Sequence, residues 1–150
     1  MPEVTATVDV SAPPTVVWAV LTDVAAYPQW NTLLSVDGEY AVGERVSARL
    51  SVPGLPTVSF APEITVVDPR RELRWRSSLF GHDAEHSFRL DELADGGTRF
   101  VQHEVIDGPL AGPVVGAMER RIRRGFEQMN VGLRRRAAEL ARAESGRVRP

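Results

Sequence analysis

Trp75, His86 and Glu104 are the residues whose types and spacing come closest to a chemical site in this chain. In ELRWRSSL (72–79), Leu73, Trp75, Ser77 and Leu79 alternate with Arg74, Arg76 and Ser78. In HDAEHSFRLDEL (82–93), Ala84, His86, Phe88 and Leu90 alternate with Asp83, Glu85, Arg89 and Asp91. Alternation of this kind is the mark of a half-buried strand. If Phe80-Gly81 closes one tight turn, Trp75 stands opposite His86. If the ADGG turn (94–97) closes the next, His86 comes near Glu104 and Phe88 near Gln102. Directly opposed side chains have Cβ atoms roughly 4.5–5.5 Å apart, within reach of a hydrogen bond. A slip of one residue would turn part of the row outward.

A carboxylate beside an imidazole can act as an acid–base pair, the carboxylate orienting the ring and stabilising its charged form. The competing reading of His86 and Glu104 is a buried pair that fixes register or grips a ligand's polar end. Structural pairs of this kind are the commoner case. The three histidines do not make a metal site: His82 and His86 are four apart on a strand, about 13 Å at 3.3 Å per residue. His103 points away from the face that carries Gln102 and Glu104. With no cysteine, thiolate catalysis, disulfides and zinc–thiolate sites are excluded. There is no glycine-rich phosphate loop followed by lysine and no G-x-S-x-G elbow. No cofactor is expected.

These residues need a scaffold, and the chain's 150 residues with 43% apolar composition allow one domain, 1–150, with its own core. The start, MPEVTATVDVSAPP, has no basic and apolar leader, and no stretch is long enough to span a membrane. A soluble, cytoplasmic protein is expected, without stable membrane insertion. All 18 basic residues are arginine, and ten of them fall between Glu119 and Arg149 against four glutamates. They lie at helical spacing opposite an apolar stripe, as on a solvated face, and no nucleic-acid motif accompanies them. No nucleic-acid partner is expected; a monomer and a homodimer are equally compatible.

EVTATVDV (3–10) alternates as a strand, and the prolines of SAPP precede a helix carrying Val17, Val20, Leu21 and Val24 at core spacing. Strands follow from Glu44 onward, and Pro62 inside VSFAPEITVV (58–67) marks an edge or a bulge. From about Val114 to Ala143, apolar residues recur at steps of three or four, which gives one long amphipathic helix. Residues 144–150 read as a frayed tail. A sheet with one apolar face must cover it, and only this helix is large enough. The fold class is therefore α+β: a curved antiparallel sheet of about seven strands around a long C-terminal helix, with two short helices after the first strand.

This order resembles the START-like superfamily of helix-grip proteins, and within it the polyketide cyclase/dehydrase-like and lipid-transport-like branch. The resemblance rests on Ala12-Pro13, Val17-Trp18, Leu21-Thr22-Asp23, Tyr27-Pro28 and Trp30, and it covers nearly the whole chain. It implies a cavity between sheet and helix, with Tyr27 and Trp30 near the wall at one end. Met118, Ile122, Phe126 and Met129 would close it along the helix, and Gly125 would let a ligand or the sheet approach. Phe60, Ile64, Trp75, Phe88 and Phe100 would line the sheet side, with Gln102, His86, Glu104 and Asn130 as polar groups.

The aromatase/cyclase branch uses cavity serine and arginine residues, whereas the corresponding inward positions here are Ile64 and Val66, and Arg74 and Arg76 point outward. That departure weakens the case for cyclisation by that constellation. Three functions follow. The first is binding of a hydrophobic small molecule. The second is a cyclase or dehydratase using His86 and Glu104. The third is a membrane- or partner-binding module acting through the basic helix.

Overall fold

The computed structural model describes residues 2–148. Strand β1 (Glu3–Val10) leads into helix α1 (Pro14–Thr22) and a 3-10 turn (Val24–Gln29). Then come β2 (Leu34–Asp37), β3 (Ser47–Leu50), β4 (Val58–Phe60), β5 (Glu63–Asp68), β6 (Glu72–Leu79), β7 (His82–Glu92) and β8 (Thr98–Asp107). Helix α2 (Ala111–Val148) closes the chain. The strands form a five-stranded antiparallel sheet, ordered β1-β8-β7-β6-β5, and a three-stranded sheet, ordered β2-β3-β4. A bridge between Arg45 and Glu63 ties the two together.

There are thus eight strands where the pattern gave about seven. Pro62 has no N–H to offer a ladder, and the run 58–67 breaks around it into β4 and β5. The β5–β6 register then shifts between Ile64 and Val66. Pro14 sits in the first turn of α1, where a missing N–H costs nothing. Val17 and Leu21 of that helix are fully buried.

Helix α2 begins three residues earlier than the periodicity indicated, because Pro113 falls in its first turn, where backbone donors have no intrahelical partner. As described it runs to Val148, and residues 149 and 150 of the expected tail lie outside the described residues. Its inner stripe, Phe126, Met129, Leu133 and Ala137, is buried against the sheet. Two glycines govern how closely it docks. A Cβ at Gly125 would stand 2.8 Å from Leu33 Cδ1. One at Gly132 would stand 2.2 Å from the Trp30 carbonyl oxygen, so the 3-10 turn lies against bare helix backbone.

Candidate functional site

Two tight turns build the polar wall. Phe80 and Gly81 both have positive φ, 53° and 75°, as a two-residue hairpin turn that matches strand twist requires. This pairs Leu79 with His82 and therefore Trp75 with His86. At the next turn Leu93 N–H donates to the Gly97 carbonyl, Glu92 faces Thr98, and His86 faces Glu104. Trp75, His86 and Glu104 form one row across β6, β7 and β8, and Phe88 faces Gln102 one step along.

His86 Nδ1 lies 3.5 Å from Glu104 Oε2, and its Nε2 lies 3.1 Å from Gln102 Oε1. Gln102 Nε2 donates to Asn130 Oδ1 at 2.8 Å and to the Phe126 carbonyl at 3.2 Å. His86, Gln102 and Asn130 are all buried, so a polar chain crosses from sheet to helix inside the apolar core. The imidazole also packs on aromatic rings, with Phe88 at 4.3 Å and Phe126 at 5.0 Å between centroids.

Beside this row is a cavity of about 360 Å³ between the sheet and the N-terminal half of α2. Among the residues expected in its wall, Phe60, Trp75, His86, Glu104, Met118 and Phe126 line it. The others do not. Tyr27 is held in the core by its hydroxyl, which donates to the Leu21 carbonyl and accepts from Tyr40 at 3.0 Å. Trp30 packs edge-on to Tyr27 at 5.1 Å, with its backbone against Gly132. Ile64, Phe88, Phe100 and Met129 are buried in the filled half of the core, and Ile122 packs beside it. Gln102 is shielded by its own hydrogen bonds rather than presented to the cavity.

The face of each strand is as the alternation dictates except in β5, where the register shift after Ile64 sets Val66 opposite the outward Arg74 and packs Val67, not the expected Val66, on the core. The hollow lies nearer the β6–β7 turn. Ser77, Leu79, Ala84, His82 and Ile106 contribute to the wall there, with Phe80 at the turn itself. Ser77, Leu79, Ala84 and Ile106 continue the alternation of Trp75, His86 and Glu104, so the row extended toward the turn would have found them. Leu33, Leu34, Leu50, Val58 and Val114 also line the cavity. Leu50 stands on the apolar face of the alternating run 45–52, whereas no local pattern marks Leu33 and Leu34.

Arg74 turns outward to Glu72 and Glu85, and Arg76 outward to Glu63. The three histidines serve separate ends: His82 Nδ1 lies 2.9 Å from the Phe80 carbonyl, His103 reaches Glu3, and His86 stands in the wall. Among the described residues no three His, Asp or Glu side chains gather as a cation site. No helix among them is long and apolar enough to cross a membrane.

A curved antiparallel sheet gripping one long helix around an apolar hollow defines the class of helix-grip proteins. Within it, residues 1–138 match the family described as polyketide cyclase / dehydrase and lipid transport, and the chain belongs to that family. No functionally curated protein matches it. Among solved structures it is similar to TTHA0849 from Thermus thermophilus, with TM-score 0.74 and 20% identity over 93% of this chain and 99% of that one. It is similar also to the Zhui aromatase/cyclase from Streptomyces sp. R1128, with TM-score 0.73 and 20% identity over 91% and 93%. DynU16, a putative protein in the dynemicin biosynthetic locus, aligns with TM-score 0.67 and 25% identity over 89% of this chain and 46% of its own length.

Proposed function

We propose that this protein binds an apolar small molecule, polyketide-, lipid- or aromatic-like, in the cavity between the sheet and α2. The observation that carries the reading is the cavity itself: about 360 Å³, walled mostly by aliphatic and aromatic side chains with a single acid–imidazole pair on one side. Small-molecule sites have this composition, with apolar walls supplying affinity and a few polar groups fixing orientation. The family's description and the aromatase/cyclase neighbour support the same class of ligand. Native mass spectrometry of the protein as purified tests it. A copurifying molecule of a few hundred daltons is the expected result; a protein that is empty and takes up no apolar compound from a panel overturns the reading.

A second reading has its own observation. His86 and Glu104 meet at 3.5 Å on the cavity wall, where a proton could pass to or from a bound carbonyl compound. In that reading the protein is a polyketide cyclase or dehydratase, with the pair as acid and base. His86→Gln separates the two: it leaves affinity within a few-fold and abolishes turnover if chemistry occurs. Candidate substrates that bind and return unchanged eliminate the enzyme.

A further inference from the structure

The hydrogen-bond chain behind the wall fixes what the cavity can offer a ligand. The Phe126 carbonyl can only accept, so Gln102 must turn its NH₂ toward it and toward Asn130 Oδ1. Gln102 Oε1 then faces His86 Nε2, which must carry a hydrogen to meet it. The remaining ring nitrogen, Nδ1, faces Glu104 Oε2. One proton between those two atoms satisfies both, whether it resides on the ring or on the acid. In either arrangement the other Glu104 oxygen is an acceptor. Among the described residues Glu104 makes no polar contact except the one through Oε2.

The rest of the wall is short of positive charge. It contains no arginine, and any charge on His86 is already matched by Glu104. His82 donates its Nδ1 hydrogen to the Phe80 carbonyl, and its Nε2, buried and without a partner among the described residues, is in that tautomer a second acceptor in the wall. The Trp75 indole N–H and the Ser77 hydroxyl are neutral donors. They can serve a second ligand oxygen but cannot balance an anion. A carboxylate or phosphate placed here would lose its water and find no arginine or other fixed, unmatched cation in the wall.

Resting on the binding reading above, we infer that the ligand is an uncharged molecule whose polar end is a hydroxyl (phenol, enol or alcohol). The hydroxyl donates to Glu104, and the site discriminates against carboxylate- and phosphate-bearing ligands. A hydrogen bond from the ligand hydroxyl to Glu104 corresponds to roughly tenfold in affinity.

Calorimetric titration at pH 7 with three probes of one skeleton tests this: 2-naphthol, naphthalene and 2-naphthoate. Naphthol should bind about tenfold tighter than naphthalene and naphthoate weakest of the three. In Glu104→Gln, an isosteric change at a partly exposed position, the preference for naphthol over naphthoate should shrink by about tenfold or more. The wild-type ranking decides the matter even if the variant folds poorly. Naphthoate binding as tightly as naphthol, or a preference unchanged in a folded Glu104→Gln, overturns the inference. Naphthol and naphthalene binding equally overturns hydroxyl recognition while the cavity reading stands. Binding by none of the three overturns both.

Discussion

Gln102 joins the two halves of the molecule with one amide. It holds His86 on the sheet and Asn130 and the Phe126 carbonyl on the helix, all by direct hydrogen bonds. Gln102→Leu keeps the volume but strands a buried imidazole N–H and the Asn130 oxygen. The expected loss is about 2–4 kcal/mol, read from the urea midpoint. Tyr27 makes a different prediction. Burial, more than the neighbouring Tyr40 hydroxyl, pushes its phenol well above the ordinary value near 10. The folded chain therefore keeps a proton that the unfolded chain releases. The stability that the buried, protonated phenol contributes is intact below about pH 10 and falls as pH rises beyond it. Tyr27→Phe should lower stability at pH 7 by about 1–2 kcal/mol and flatten that alkaline decline, measured by thermal unfolding across pH. His86 and Glu104 were legible as neighbours because two tight turns and a period of two fix their register. The role of Gln102 was not, since it depends on how α2 is rotated about its axis.

At the scale of elements, the two inward glycines of α2 differ in what faces them. Gly125 meets the far end of the Leu33 side chain, which can shift by a few tenths of an ångström. Gly132 meets the Trp30 carbonyl, which cannot move without carrying the 3-10 turn along. Alanine favours a helix interior by about 1 kcal/mol at either position. Gly125→Ala should therefore change stability by less than about 1 kcal/mol, whereas Gly132→Ala should lose about 2 kcal/mol or more, in parallel urea titrations. The sequence pattern singled out Gly125 and passed over Gly132, because a helical period locates a face but not the partner packed on it. The family resemblance set Tyr27 and Trp30 near the cavity wall, whereas the Tyr27 hydroxyl is tied to the Leu21 carbonyl in the core and the Trp30 backbone lies against Gly132. Pro62, by contrast, announced the end of a strand by its chemistry alone.

For the whole molecule, the core is filled at one end and hollow at the other. Phe88 and Phe100 stack at 6.2 Å in the filled half, while Ala84 and Ser77 leave space near the β6–β7 turn. Alternation marks the inward face of the strands except β5, where the bulge after Ile64 exchanges Val66 for Val67, but the position of a hollow along that face depends on where the helix diverges from the sheet. Ala84→Phe should occupy the hollow. It is expected to abolish uptake of apolar ligands while leaving stability unchanged or raised by up to about 1 kcal/mol, by calorimetry and thermal unfolding. The family and the fold neighbours agree on the architecture.

The distribution of the three tryptophans has an optical consequence. Trp75 stands in the cavity wall, its ring 5.8 Å from His86, while Trp30 is sealed against α2 and Trp18 packs at the core's edge. Only Trp75 among them touches the space a ligand would fill. Its emission should shift in wavelength or intensity on occupancy and remain steady in the Ala84→Phe variant, while Trp18 and Trp30 supply a constant background. The protein thus carries an intrinsic, label-free reporter of whether its cavity is full.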